Sequence, residues 1–416
     1  MKKIGILTVI ASLFTSAFFA QQFEMSAEIR PRFENKHGYK TLLLSNAEGS
    51  NFVSQRTRLN LHFNSEKLAI GLSYQNVRVW GDVSTLSAND NAFALHEAWA
   101  ETRISDHFSV RLGRQEIVYD DSRIFGNLGW AQQARSHDAL LAKFTWNNNK
   151  LDIGLALNAD NQSEIATLYS NVAGYKAFQY AWYHTNINNV NLSLLAVNNG
   201  VEFLNTHLEK EVNYSQTLGG RLTTKRGGFN VDGAAYIQTG KLNGNTVSAS
   251  YFAGNISYKT SEKITLGVGA EYLSGKDMNA TSTTIKSFAP LYGTNHKFNG
   301  WMDYFYVGNH KNSVGMIDIN ATFAYKKGKF SAKVIPHLFS AAADVYDGTT
   351  KMDSNLGTEI DVNLGYTISS NSSVNIGYSK LFATNAMEVL KGGDKDENNS
   401  WAWVMFTFKP TLFSSK

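Results

Sequence analysis

From Gln22 onward the chain alternates between apolar and polar residues with a period of two. Phe23, Met25, Ala27, Ile29 and Phe33 share one parity; Glu24, Ser26, Glu28, Arg30, Arg32 and Glu34 share the other. Such a period marks a β-strand that faces two different environments. The next segment repeats it, with Val53, Leu59, Leu61 and Phe63 set against Ser54, Arg56, Arg58, Asn60 and His62. Both runs exceed the five or six residues usual for a soluble strand and reach the roughly 9–11 needed to cross a bilayer. Further alternating runs begin at Phe108, Leu140, Leu151, Phe229, Ile264 and Leu356, and an aromatic run, Ser400–Phe408, lies near the C-terminus. Pro31 interrupts the first run, and a residue without an N–H predicts a bulge or a strand end there.

The connections alternate too. Ser65–Lys67, Ser105–His107, Asn147–Asn149, Ile187–Asn189, Lys225–Gly228, Thr260–Glu262, Lys326–Gly328 and Ser369–Ser372 are short and polar. Between them lie longer stretches, at 80–92, 119–136 and 159–173, and the longest at 275–313. Short turns at one rim and long loops at the other predict an all-β fold: a single transmembrane antiparallel β-barrel of about eighteen strands, with periplasmic turns and extracellular loops. Aromatic residues near strand ends, including Tyr74, Trp80, Trp146, Tyr258 and Tyr366, suit the girdles at the two membrane interfaces.

Composition sharpens this picture. The mean hydropathy is −0.27, and no apolar run is long enough to cross as a helix. There is no Cys among the 416 residues, so disulfides and Cys-based sites are excluded. Residues 1–20 carry Lys2 and Lys3, then an apolar run ending at Ala20; they read as a signal peptide, leaving 21–416 as the barrel. Removing those two lysines leaves 39 − 2 = 37 basic against 35 acidic residues, a net +2. A charge-driven function must therefore come from where the charges sit, and nucleic acid is not an expected partner.

Arginine is out of place on the polar face of a strand if that face is a dry core, and at home if it lines water. Strand register places Arg30, Arg32, Arg56, Arg58 and Arg221 on the inner face, with Arg111, Arg114, Arg123, Arg135 and Lys143 on or between the strands of the segment 108–146. Guanidinium groups meet carboxylates in a planar fork, so such a ladder suits a polyanion that must be bound weakly and repeatedly. The alternative left open is that inward acids, Glu28, Glu97, Glu101, Glu359 and Asp361 with Asp152, Asp232 and Glu271, pair with these cations and brace the wall. Asp120-Asp121, Asp394–Glu397 and the histidines lack metal-ligand spacing, so no metal or cofactor is expected. Ser136-His137-Asp138 is contiguous, and strand neighbours point to opposite faces, so no catalytic triad is expected and the protein is not read as an enzyme.

Three segments carry a family resemblance. Leu95-His96-Glu97-Ala98-Trp99, then Gly113-Arg114-Gln115-Glu116 through Trp130, Arg135 and Asp138, then Pro290-Leu291-Tyr292-Gly293 through His296, Gly300, Asp303 and Asn309 resemble the alginate export family of outer-membrane porins. The resemblance implies an eighteen-stranded barrel in the outer membrane of a Gram-negative bacterium. It implies an Arg- and Lys-rich, anion-selective constriction through which an acidic polysaccharide leaves the periplasm, and it matches Arg114, Arg123 and Arg135 to the family's arginine positions. Outer-membrane lipid, an acidic polysaccharide or small anions, and periplasmic export components are the partners this reading implies. Uptake of small anions or oligosaccharides through the same barrel is the competing function.

Overall fold

The structure is a computed structural model and describes residues 21–87, 92–169, 174–307 and 313–415. The expected signal peptide lies outside the described residues. The chain forms a closed antiparallel barrel of 18 strands. The first six are β1 (Gln22–His37), β2 (Ser50–Asn64), β3 (Leu68–Val79), β4 (Phe93–Ser105), β5 (Phe108–Gln115) and β6 (His137–Trp146). The next six are β7 (Asn149–Leu157), β8 (Ala177–Ile187), β9 (Val190–Leu204), β10 (Lys210–Arg226), β11 (Phe229–Leu242) and β12 (Ala249–Lys259). The last six are β13 (Ile264–Leu273), β14 (Met316–Lys327), β15 (Phe330–Ser340), β16 (Asn355–Ser369), β17 (Ser372–Ala383) and β18 (Ser400–Phe408).

Each strand pairs with its sequence neighbour, and β18 closes the ring by pairing with β1, Ile29 opposite Phe408 and His37 opposite Ser400. Closure leaves no edge, so every strand can satisfy its backbone inside a bilayer. A final segment, Thr411–Ser414, also pairs with β1 and sets Phe413 opposite Met25. The outward parity is apolar and exposed, as at Ile29, Phe33, Leu112, Leu222, Ile256, Val268 and Phe323. Lipid is the solvent that makes such a surface favourable.

Every short connection expected from sequence is a hairpin turn at one end of the barrel. Asn188 and Asn189 take φ +48° and +71°, and Gly227 and Gly228 +56° and +85°. Positive φ at both central residues is the twist that a two-residue hairpin requires, and Asn and Gly reach it at least cost. The opposite rim carries the long loops, although 205–209 there is short. One expectation is corrected: β1 has no bulge or end at Pro31. It runs through, with Pro31 opposite Gln55 of β2, and it is the β18 side that lacks a ladder pair at Arg30 and Pro31. The missing N–H is accommodated as a gap in one ladder rather than as a break in the strand.

Candidate functional site in the barrel lumen

Two loops fold into the barrel, 116–136 and the described residues of 274–315. A backbone inside a barrel has no strand partner, so its polar groups must be satisfied by the wall or by the other loop. The two loops solve this with opposite charges.

The first is held by guanidinium groups. On β1, Arg30 donates to the carbonyls of Gly129 at 2.7 Å and Trp130 at 3.0 Å, and to Gln132 Oε1 at 2.9 Å. Arg32 donates to the Trp130 carbonyl at 2.8 Å and pairs with Glu34 at 2.9 Å. On β2, Arg56 pairs with Glu28 at 2.6 Å and reaches the Gln132 carbonyl at 3.3 Å. These three arginines are buried, not bare in the lumen. A guanidinium has five fixed donors, enough to serve a carboxylate and several carbonyls together. Arg58 donates to Gln75 at 2.8 Å and lies 3.9 Å from Glu116, and its Nη2 has no hydrogen-bond partner among the described residues.

The second loop is held by carboxylates. On β16, Glu359 accepts the Met302 N–H at 2.9 Å and Asp361 accepts the Trp301 N–H at 3.1 Å. Gly300 precedes them at φ +79°, and a Cβ there would sit 2.6 Å from the Glu359 carboxyl carbon. Only glycine lets the loop lie this close to the wall. Asp361 also accepts from Ser379 and faces His337 Nε2 at 3.6 Å, while His337 Nδ1 bonds Asp318 at 2.9 Å. Glu359 and Asp361 are therefore not arginine partners, a correction to the expected pairing. Glu97 accepts the backbone N–H of Glu116 at 3.1 Å. In each case a nearby unpaired amide is the closer donor.

The loops also lock to each other. Arg123, 1% exposed, pairs with Glu271 of β13 at 3.1 Å and donates to Asn299 at 3.0 Å, with its guanidinium 4.5 Å from the Phe298 ring. Arg135 donates to the Gly293 carbonyl at 3.1 Å, and Gly126 N–H to the Tyr292 carbonyl at 2.9 Å. Phe125 packs on Phe178 and Tyr180 of β8 and on Tyr292, fixing both loops to that wall. Burial lowers the pKa of Arg135, with Tyr292 and Tyr175 opposing. Burial would raise Glu116, but hydrogen bonds from His96 and Asn127 outweigh it and hold the carboxyl below its ordinary range.

The remaining candidates lie apart. Arg111 and Lys143 share Glu101, at 2.7 and 3.2 Å, and Arg111 stacks 3.9 Å over Trp99. Glu28 and Glu101 are thus paired with basic side chains of the wall. Arg221 pairs with Asp232, and with Asp121 at 3.4 Å. Arg114 is a correction. It shares the outward parity of exposed Leu112 and pairs with Asp138 at 2.8 Å, the two side chains 42% and 63% exposed, at the loop end of β5 and β6. Replacing Arg114 by Ala is expected to change stability by about 1 kcal/mol or less and to leave ion selectivity unchanged, read by denaturant titration in micelles and by bilayer recording. His137 is buried inward while Asp138 is exposed, so the two do not converge. Asp318, His337, Gln132 and Asn299 were not singled out from sequence. For the first two, the only signal was a charged residue at inward parity on adjacent strands.

Trp130 and His296 meet where the loops cross. Their rings stack at 4.6 Å and 16°. A cavity of about 530 Å³ lies on the loop side, with Arg32, Lys36, Tyr39 and Arg78 in its lining. Another of about 650 Å³ extends toward the turn side, with Asn320, Lys333 and Asn363 in its lining.

A family model described as alginate export matches residues 22–402. Among solved structures, the chain is similar to OccK9 (OpdG) of Pseudomonas aeruginosa, with a TM-score of 0.63 at 11% identity, covering 94% of this chain and 98% of that one. It is also similar to OpdK of Pseudomonas aeruginosa with vanillate, with a TM-score of 0.60 at 12% identity, covering 94% and 99%. At such identities the likeness concerns the fold. No curated protein matches the chain at a significant level. Family and architecture together identify the chain as a member of the alginate export family and an outer-membrane β-barrel channel of the Gram-negative envelope.

Proposed function

We propose that this channel passes carboxylate-bearing solutes, and that its cargo is an acidic saccharide of the alginate type leaving the periplasm. The observation that carries the reading is the charge on the inner face of β1 and β2. Arg30, Arg32, Lys36, Arg56 and Arg58 stand there against Glu24, Glu28 and Glu34. Arg30 even lies directly opposite Arg56, a like-charge pairing that costs energy unless anions or carbonyl oxygens share the site. A surplus of fixed positive charge beside a narrow, low-dielectric path raises the local concentration of anions. The family description supports export.

The filled lumen favours a second reading. Both long loops occupy the path, which suits short anions or oligosaccharides entering the cell better than a continuous polymer. Planar-bilayer recording under a salt gradient tests both. Anion selectivity, with current blocked by oligouronate at micromolar to millimolar levels, is the expected result. Block by long chains as well as short ones supports the polymer path; permeation limited to short oligomers supports the second reading. Cation selectivity and indifference to oligouronate would sink the anion path.

A further inference from the structure

The two lumen cavities share two lining residues, Trp130 and His296. The upper one reaches residues at the loop ends of β1, β2 and β3, and the lower one reaches the middle and turn-side halves of β14, β15 and β16. The stacked rings thus lie where a cavity at the loop ends of β1–β3 meets one at the middle and turn-side halves of β14–β16. We propose that this Trp130–His296 partition sets the size limit of the channel, with Trp130 as its fixed half and His296 as its movable half.

The two halves are held very differently. The backbone on either side of Trp130 is gripped by Arg30, Arg32 and Arg56 through the carbonyls of Gly129, Trp130, Ala131 and Gln132. The Trp130 ring is also packed. The Arg32 guanidinium lies 4.0 Å from its centroid, and Trp403 and Trp401 meet it edge-on at 4.8 and 5.5 Å. Turning that ring breaks a four-sided contact, and shifting the backbone that carries it breaks several charge-assisted bonds.

His296 sits on the short turn Asn295–Lys297. Its ring makes one side-chain hydrogen bond among the described residues, Nδ1 to Asp303 at 2.7 Å. Asp303 is itself fixed by Tyr39. Swinging the imidazole off Trp130 therefore needs only the loss of that bond and of the ring contacts, and it joins the two cavities without moving either loop. A constriction closed by side chains rather than by backbone is the kind that a single rotamer change opens.

Single-channel conductance of wild type, Trp130→Ala, His296→Ala and His296→Phe tests this, together with liposome swelling in a size series of neutral oligosaccharides. His296→Ala and Trp130→Ala are expected to raise conductance about two- to fivefold and to admit larger sugars, because the narrowest section widens by a ring. His296→Phe keeps a ring on Trp130 without the Asp303 bond, and is expected to stay near wild type. If Trp130→Ala fails to insert, His296→Ala decides alone. Wild-type conductance and size limit in His296→Ala would overturn the proposal. So would equal opening in His296→Phe, which would trace the effect to Asp303 and the loop rather than to the ring. The inference concerns size and not charge, so it stands or falls separately from the anion reading.

Discussion

Replacing Arg123 by Ala is expected to speed hydrogen exchange in residues 116–136 and 294–303 about 100-fold or more while the barrel strands keep their protection. Arg123 ties the first loop, the second loop and the wall together through buried polar contacts at a single point. Its pair with Glu271 and its bond to Asn299 are both buried. Asn299 in turn donates to Glu271 at 3.1 Å and lies 3.4 Å from Asp318. Without the guanidinium, Glu271 is left facing Asp318 across one amide. Removing one partner of a buried pair typically costs about 3–5 kcal/mol, and each 1.4 kcal/mol is a factor of about ten in a local opening equilibrium. Lysine should rescue only in part, since its ammonium can pair with Glu271 but lacks the guanidinium plane that lies against the Phe298 ring. Exchange measured by mass spectrometry in micelles reads the result. Unchanged protection in both loops would show that the aromatic contacts of Phe125 and Tyr292 suffice to hold them.

Asp361→Ala should act on the second loop alone. The residue has no exposed surface and accepts from the Trp301 N–H and from Ser379. Its loss strands two donors in the lumen wall, at about 1–3 kcal/mol each, and takes a negative neighbour from His337. The expected outcome is exchange about 30-fold faster or more at 300–303, with 116–136 near wild type because its guanidinium anchors on β1 and β2 are untouched. Asp361→Asn keeps an acceptor of the same shape and should lose less. Equal loosening of both loops would instead mean that they open as one unit through Arg123.

These two expectations rest on a division of labour. Carbonyl groups of the first loop are met by arginines, and amide groups of the second by carboxylates. Both arrangements use wall charge to satisfy backbone groups that no strand can reach. The basic and acidic stretches are therefore structural as well as electrostatic, and substitutions meant to alter selectivity at Arg30, Arg32 or Arg56 will also loosen the 116–136 loop. Arg58, whose Nη2 has no hydrogen-bond partner among the described residues, is the cleaner place to probe charge alone.

Much of this molecule is written in period two. Alternation over runs long enough to span a bilayer, turn residues at one rim, and an aromatic strand near the C-terminus determine an all-β membrane barrel of about eighteen strands, because strand pairing between sequence neighbours is local and lipid fixes which parity faces out. The same register determined that Arg30, Arg32, Arg56 and Arg58 point inward. It also places Arg114 outward, since Arg114 shares parity with Phe108, Val110 and Leu112. What only the tertiary structure decided is what the inward charges touch. Loops 116–136 and 274–315 follow no period, so nothing in their sequence says that Trp130 meets His296, that Arg123 reaches Glu271, or that Glu359 and Asp361 hold the amides of Trp301 and Met302. Those contacts join residues far apart in the chain, and they form because an unpaired backbone inside a barrel must find partners wherever the wall offers them.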